Sequence, residues 1–235
     1  MSIGFRVITR IERPAANLVE RFLAFASCDI SDVMNRAGSM VGIRSVYLPV
    51  RRIAGSAVTV SVPAGGINMI KVGIEQSRAG DVVVASAQGD TTFAMLGGNI
   101  SLGMKARGVR GFVIDGAVRD VSELRDLDFP TFARGVAAAA ADLGGPRGEV
   151  NVPIACGAVV VNPGDIVVAD EDGIVVVPLA AAEEVLAALP NLKEKHEAAR
   201  LALRRGEVTA IERITQEFVS QGLEIVSSDD AEVAQ

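Results

Sequence analysis

The amino-acid sequence predicts an α/β protein, in which short apolar strands alternate with helices around a buried sheet. Two similar segments, at residues 79–85 and 163–169, each place a Gly-Asp turn before a run of Val, Ile and Ala. Such uninterrupted apolar runs are typical of strands that are covered on both faces. Between the two segments, strand-like and helix-like patterns alternate. The 235 residues, 49% of them hydrophobic and 22% charged, are enough for a sizeable core.

The elements follow in order from local patterns. Residues 14–38 carry apolar side chains at spacings of three and four, which predicts a helical segment. Residues 45–62 are rich in Val and Thr and are bounded by Gly and Pro, which predicts short strands. A helical pattern returns at residues 68–77 and again at 100–107, and the apolar residues 111–114 predict a buried strand.

The second half is predicted in the same way. A loop is expected at residues 115–120 and a strand at 131–133, whereas the Ala-rich residues 136–141 suit either a loop or a short helix. The chain is predicted to be helical from Leu179 to Arg205, and Pro190 is expected to begin a second helix there.

No linker divides the chain. We therefore predict one domain over residues 1–235, with a core at about 29–178 and a C-terminal helical arm at about 179–226. The polar tail after Ser227 is expected to fray.

Composition and charge exclude several functions. A net charge of −6 and only 4% aromatic residues argue against nucleic acid as a ligand. The two cysteines, Cys28 and Cys156, lie far apart, which is not the pattern of a disulfide framework or a metal site. The N-terminus resembles no signal peptide, and no apolar run approaches the length of a membrane helix. We therefore expect a cytoplasmic protein.

One stretch combines a glycine pair with a predicted helix start. Gly97 and Gly98 precede the helix and leave the backbone N–H groups of Asn99 and Ile100 accessible at its positive end. Such a start can hold a carboxylate or a phosphate. A tight turn with no ligand is the more frequent meaning of two glycines before a helix.

The loop after the 111–114 strand carries three charged residues: Asp115, Arg119 and Asp120. Arg119 can bind a carboxylate through two parallel hydrogen bonds, and Asp120 can hold a hard divalent cation. This combination suits a 2-oxo acid. A surface Arg-Asp pair that caps the following helix is an equally good interpretation of the residues alone.

These residues carry a resemblance to a known family. The runs 97–100 and 105–120 resemble the core signature of class II 4-hydroxy-4-methyl-2-oxoglutarate and 4-carboxy-4-hydroxy-2-oxoadipate aldolases, a family that includes the regulator of ribonuclease activity A. Residues 151–157 and 163–178 are also similar to it, so the resemblance extends over roughly residues 29–207. It implies a swivelling-domain-like β/β/α sandwich core, assembled as a trimer or hexamer with active sites between subunits.

The resemblance also implies roles for particular residues. Arg119 would bind the pyruvyl end of the substrate, and Asp120 would ligate Mg²⁺ or Mn²⁺. The backbone at Gly98, Asn99 and Ile100 would complete the substrate-binding site by holding the carboxylate. The implied activity is a lyase that releases pyruvate from a 2-oxo acid, with no nucleic acid and no membrane as partner.

Two further positions matter for this implied activity. A glutamate from the neighbouring subunit's C-terminal helix completes the metal's water shell in the family, and Glu194 is the nearest match, with Glu197 second. The position of Gly98 usually carries an acid that orients metal-bound water, and here it has no side chain. We therefore expect oxaloacetate decarboxylation, which demands less of a protein base, to be favoured over aldol cleavage. A ring-shaped, non-catalytic regulator that binds proteins is the alternative.

Other polar residues carry less weight. The C-terminal helix is predicted to have an apolar stripe at Leu189, Leu192, His196, Ala199 and Leu203. His196, the only histidine, lies on this stripe, so we expect a packed or interface histidine. The acidic residues 170–172 precede a glycine and a strand, so a solvated turn is favoured over a cation site.

Overall fold

The computed structural model describes residues 3–63, 66–142, 145, 147–207 and 209–226, with side chains outside residues 209–213. The strands are β1 (Phe5–Val7), β2 (Arg44–Ser45), β3 (Ile53–Ser61), β4 (Asp81–Ser86), β5 (Gly111–Val118), β6 (Thr131–Val136), β7 (Gly148–Val150), β8 (Ile154–Cys156), β9 (Val159–Val161), β10 (Ile166–Ala169) and β11 (Ile174–Val177). The helices are α1 (Ala16–Phe22), α2 (Ser27–Val33), α3 (Asn68–Gln76), α4 (Gly98–Ala106), α5 (Val121–Asp126), α6 (Ala182–Arg204) and α7 (Thr209–Ser220), with a 3₁₀ turn at Leu179–Ala181.

The main sheet has the order β1-β7-β3-β4-β5-β6-β2. Its centre, β3-β4-β5-β6, is parallel, as expected for strands joined by helical crossovers. The edge of β3 that faces away from β4 has two antiparallel partners. β10 pairs with its first half, at residues 53–56, and β7 pairs with its end, at Val60 and Ser61. The sheet thus branches at β3, and β11 continues beyond β10.

The core forms because the central strands are apolar on both faces. Every residue of β4 and β5 is buried, including the apolar runs Val82–Val84 and Phe112–Ile114. Residues from α3, α4 and the central strands make up the main hydrophobic cluster. A second cluster joins α1, α2, β10, β11 and the start of α6. Burial of this apolar surface is the main driving force for the fold.

The predicted α/β class is confirmed, and the two Gly-Asp segments form β4 and β10. The helix predicted at residues 14–38 is present as two helices, α1 and α2, which are separated at residues 23–26. The helix predicted at 68–77 is α3. The sequence analysis did not predict β1, β7, β8 or β9, because each has three residues and too short a pattern to detect.

The structure corrects the prediction for residues 115–120. There the chain stays in β5 as far as Val118, and the expected loop is reduced to two residues. The Ala-rich residues 136–141 form neither a helix nor a free loop. The backbone N–H of Ala94 donates to Ala139 O at 2.7 Å and that of Ala141 donates to Ala94 O at 2.8 Å, so this stretch pairs with residue 94.

Pro190 lies inside α6 instead of beginning a second helix. A proline in a helix removes one backbone hydrogen bond, but buried Val185, Leu186 and Leu189 hold the preceding turns in the core. The chain divides into two compact units between Pro190 and Asn191, within α6. The single domain with an arm from about residue 179 stays a prediction. The predicted fraying after residue 227 lies outside the described residues.

The apolar stripe predicted along the C-terminal arm is buried at Leu189 and half-buried at Leu192 and His196. Ala199 and Leu203 of the same stripe are exposed in this chain. Among the described residues, no helix is long and apolar enough to cross a membrane.

Candidate functional site

The site lies where the chain leaves β5 and enters α5. The segment before α4 runs beside the end of β5: Met95 N–H donates to Ala117 O and Arg119 N–H donates to Leu96 O, both at 2.9 Å. These two hydrogen bonds bring the glycine pair Gly97-Gly98 next to Arg119. Because β4 and β5 are parallel and adjacent, the helices that follow both strands begin at the same edge of the sheet.

Two local distortions aim the charged residues at this edge. The pairing of β5 with β6 shifts register between Ile114 and Ala117, which indicates a β-bulge. Asp120 has a φ of 59° in the left-handed region, which is uncommon for a residue with a side chain. It lies two residues after the end of β5 and directly precedes α5, and its carboxylate turns back toward α4.

The Asp120 carboxylate is held by the start of α4. Gly98 N–H donates to Asp120 Oδ2 at 3.0 Å, and Arg119 Nε lies 3.6 Å from the same oxygen. A side chain at Gly97 would collide with Asp120 Oδ2 and lie 3.3 Å from Arg119 Nε. Glycine at position 97 thus permits the close approach of both charged groups. The side chains of Arg119 and Asp120 are 44% and 34% exposed, so both reach solvent.

A small cavity of about 80 Å³ opens beside these groups. Asn99, Ile100, Arg119 and Asp120 lie on its wall, as does Gly97. Its lining residues are Ile67, Ala94, Leu96, Gly97, Asn99, Ile100, Arg119, Asp120 and Ala140.

The arrangement brings together the residues that the sequence singled out. The amides of Asn99 and Ile100 belong to the first turn of α4, where a helix offers no carbonyl to accept from them. The Gly98 N–H, by contrast, is engaged by Asp120, so Gly98 acts by fixing that carboxylate.

Sequence reasoning missed Glu123, one turn into α5. A Cβ atom built on Gly98 would overlap the Glu123 carboxylate oxygen Oε2 and lie 3.0 Å from its Cδ atom. The backbone of Gly98 has no positive φ, so its conformation does not require glycine. A side chain at position 98 would instead collide with the Glu123 carboxylate. The available signal was the i,i+3 spacing of Asp120 and Glu123, which places both residues on one face of a helix.

Asp115, in contrast, is part of the scaffold. It is buried on β5, where its carboxylate accepts hydrogen bonds from Arg134 Nε at 2.5 Å and Gly157 N–H at 3.1 Å. The nearby Cys156 is also buried, and its burial, together with Asp115, raises the thiol pKa to about 12. Cys28 is exposed, and both cysteines are free thiols.

The solvated turn predicted at residues 170–172 is wrong for Asp170. This side chain is buried, and its carboxylate accepts from Ser27 N–H at 2.9 Å, Ser27 Oγ at 2.6 Å and Arg52 Nε at 3.0 Å. Burial alone would raise the pKa of Asp170, but the hydrogen bonds from Ser27 and Arg52 outweigh it and lower the pKa. Asp170 therefore anchors the start of α2 to β10.

Glu194, Glu197 and His196 lie on α6 in the second unit, at residues 191–235. Glu194 is exposed, and Glu197 forms an ion pair with Arg200 at 3.8 Å. Their predicted role concerns a neighbouring subunit and stays a prediction. Within the described ranges, no group of three or more His, Cys, Asp or Glu side chains is arranged to hold a metal ion.

The protein is thus an α/β protein with an Arg-Asp pair at one edge of its sheet, beside a helix that follows a glycine. Comparisons with known proteins identify its family. The model of the RraA-like family, described as aldolase/RraA, matches residues 27–176. The chain belongs to this family, as the resemblance indicated.

Individual relatives agree with the family assignment. A protein of Halalkalibacterium halodurans, named provisionally as a 4-hydroxy-4-methyl-2-oxoglutarate aldolase, is 37% identical over 174 residues, which cover 72% of this chain and 80% of that protein. The 4-hydroxy-4-methyl-2-oxoglutarate aldolase of Thermus thermophilus is 32% identical over 150 residues, covering 64% and 90% of the two chains.

A solved structure shares the fold. Streptomyces coelicolor RraAS2, described as an unusual member of the RNase ES inhibitor RraA family, superposes with a TM-score of 0.71 at 28% identity, covering 80% of this chain and 99% of that one. This similarity confirms the fold class that the resemblance implied.

Proposed function

We propose that this protein is a divalent-metal-dependent lyase that acts on 2-oxo acids and releases pyruvate. The substrates are oxaloacetate, by decarboxylation, and compounds of the 4-hydroxy-4-methyl-2-oxoglutarate type, by retro-aldol cleavage. The observation that carries the proposal is the position of Arg119 and Asp120 on one cavity wall, beside the first turn of α4. The aldolase names of relatives at 32–37% identity support the same reaction class.

In this proposal the cavity binds the oxo-acid end of the substrate. The Arg119 guanidinium donates two parallel hydrogen bonds to the substrate carboxylate, which fixes the orientation of the keto group. The amides of Asn99 and Ile100 add donors at the positive end of α4. Together these groups hold the substrate so that the bond to be broken projects out of the cavity.

The residues present fit Mg²⁺ or Mn²⁺. These ions prefer oxygen ligands and are often held by only one or two carboxylates, with waters and substrate oxygens in the other positions. Asp120 supplies such a carboxylate, oriented by Gly98 N–H and partly exposed. When bound, the cation stabilises the negative charge that develops on the keto oxygen.

We further propose that the functional form is a homotrimer or a homohexamer. The resemblance to the aldolase family, in which active sites lie between subunits, supports a site completed by another subunit. Glu194, or Glu197 as the second choice, would come from the C-terminal helix of that subunit. Light scattering would measure the mass of the assembly.

The proposal is tested by incubating the protein with Mg²⁺ and either oxaloacetate or 4-hydroxy-4-methyl-2-oxoglutarate. Pyruvate is followed with lactate dehydrogenase and NADH, above the rate given by Mg²⁺ alone. We expect metal-dependent turnover that Asp120→Asn abolishes and that Asp126→Asn, an exposed aspartate on α5, leaves intact. Absence of turnover with both substrates would overturn the proposal.

That negative outcome would favour the second candidate, a non-catalytic regulator that works through its surface. Its support is the fold shared with RraAS2 at 28% identity. The missing acid at Gly98 also agrees with it.

A further inference from the structure

We infer that Ile67 and Ala140 determine which 2-oxo acids this chain accepts, because they form an apolar wall against carbon 3 of the substrate. The inference rests on the proposed lyase function and deepens it. It restricts the substrates to 2-oxo acids whose C3 is an unsubstituted methylene, so that pyruvate, and no longer homologue, is the acid released.

The wall is assembled from segments that are distant in the sequence. Residue 94 lies beside the end of β5, where it forms a parallel bridge with Ala117. Its other side pairs with residues 139–141 through the two hydrogen bonds already described. Ile67 N–H donates in turn to Asp142 O at 3.3 Å. The segments around residues 94, 140 and 67 therefore lie in a row that starts at β5 and ends at Ile67.

The far end of this row gives the cavity an apolar side. Of the described residues that line the cavity, only Arg119 and Asp120 carry a charge, and both follow β5. Ile67 and Ala140 line the same cavity from the end of the row that lies away from β5. Ile67 is half-buried and Ala140 is exposed, so the apolar surface of both can contact a ligand.

The keto carbon of a 2-oxo acid decides which part of the substrate faces this side. C2 is trigonal, and its three substituents are the carboxylate, the keto oxygen and C3. In the proposed function, Arg119 and the amides of α4 bind the carboxylate, and the keto oxygen faces the cation that Asp120 holds. C3 is therefore the substituent left to contact the apolar residues.

This contact makes the size of C3 decisive. When the C3–C4 bond breaks, C4 leaves outward and its bonding electrons stay with C3 as the enolate, which remains against Ile67 and Ala140. A methyl group on C3 would need the space that these side chains occupy. One extra carbon at an apolar wall typically changes the specificity of an enzyme by about 10–200-fold.

Pyruvate and 2-oxobutyrate differ only by a methyl group on C3, so they measure this discrimination directly. In D₂O with Mg²⁺, a proton leaves C3 for the solvent, its bonding electrons form the C2–C3 double bond of the enolate, and a deuteron from the solvent then adds to C3. Proton NMR follows the loss of the C3 signal. We expect kcat/KM for exchange to be about tenfold or more higher for pyruvate than for 2-oxobutyrate.

The first variant enlarges the cavity. Ile67→Ala shortens the wall and should lower the ratio of pyruvate to 2-oxobutyrate exchange by about fivefold or more, mainly through faster exchange of 2-oxobutyrate. The matched control is Val72→Ala, which shortens another half-buried side chain of the same region, on α3, that does not line the cavity. An unchanged ratio in Ile67→Ala, or a wild type that does not distinguish the two acids, would overturn the inference.

The second variant reduces the cavity. Ala140→Leu places a larger side chain against C3 and should lower pyruvate exchange by about tenfold or more. Ala138→Leu, at an exposed position of the same segment that does not line the cavity, should leave exchange near the wild-type rate. Wild-type exchange in Ala140→Leu would contradict the wall even if Ile67→Ala failed to fold.

Binding supplies a readout that does not depend on turnover. In calorimetric titrations with Mg²⁺ present, Ile67→Ala should bind 2-oxobutyrate about fivefold or more tightly than the wild type does, with little change for pyruvate. Mn²⁺ affinity should stay near wild type in both variants, because Asp120 is unchanged. If the wild type neither cleaves the proposed substrates nor exchanges pyruvate, the proposed function itself fails. If it does both and the two wall variants leave the preference between the acids unchanged, only the present inference fails.

Discussion

Replacement of Asp115 by alanine should destabilise the protein, although the sequence places this residue beside the charged groups of the site. Its carboxylate is buried and joins three segments: β5, which carries it, Arg134 on β6, and Gly157 after β8. Alanine would leave both donors without this acceptor. We therefore expect a loss of stability and not a specific loss of chemistry.

The size of the effect follows from the exposure of each partner. The buried Gly157 N–H would lose its acceptor, which costs about 1–3 kcal/mol. The Arg134 side chain is 35% exposed and can turn to water, so losing its ion pair adds only about 1 kcal/mol. The unfolding free energy should fall by about 2–4 kcal/mol, and Tm by about 5–15 °C for a chain of this size.

Urea denaturation followed by circular dichroism at 222 nm would measure this loss, at one protein concentration because assembly also affects stability. Glu183→Ala is the control, since it breaks an ion pair with Arg21 in which both side chains are mostly exposed, and less than about 1 kcal/mol is expected. If Asp115→Ala retained wild-type stability but lost turnover, Asp115 would belong to the site and our assignment would be refuted.

Three further predictions concern pH, thiol reactivity and substrate binding. Because the folded pKa of Asp170 is lowered, its stabilisation is present above the ordinary aspartate pKa of about 3.9 and is lost as pH falls below it. In Asp170→Asn, the unfolding free energy measured by urea denaturation should therefore fall less steeply between about pH 5 and 3 than in the wild type. An equally steep fall in both proteins would contradict this. Since the pKa of buried Cys156 is raised to about 12, an aromatic disulfide reagent at pH 8 should modify only Cys28 in the folded chain and both thiols after denaturation. Arg119→Lys should raise KM for oxaloacetate about tenfold while Mn²⁺ affinity stays near wild type. The reason is that Arg119 Nε lies 3.6 Å from Asp120 Oδ2, too far for a hydrogen bond that would hold the aspartate. Equal losses of oxaloacetate affinity and Mn²⁺ affinity would make Arg119 structural.

Local patterns were sufficient for much of the fold. The Gly-Asp turns before β4 and β10 are visible because a turn dipeptide and an apolar run are adjacent in the chain. The pairing of Arg119 with Asp120 and the glycine-preceded start of α4 are equally local. Their meeting at one sheet edge follows from the parallel order of β4 and β5, which an α/β pattern already implies.

Other features depend on contacts between distant residues. Asp115 stays in β5, where it pairs with Ser86 of β4, and its carboxylate binds Arg134 of β6. No pattern around residue 115 indicates either contact. Pro190 stays inside α6 because the turns before it are buried, an effect of packing that overrides the local preference. The contact between Glu123 and Gly98 joins two helices 25 residues apart in the chain, so it becomes visible only when their starts are placed side by side.

The branching of the sheet at β3 limits how copies of this chain can associate. Strands with an open side recruit further strands from other molecules, which is a common route to fibres and exchanged dimers. Here the side of β3 turned away from β4 is covered by β10 along its first half and by β7 at its end, two segments supplied by the same chain. The longest strand of the sheet therefore offers no backbone groups for recruitment, and any ring built from this protein must be joined through side-chain surfaces or through the short outer strands.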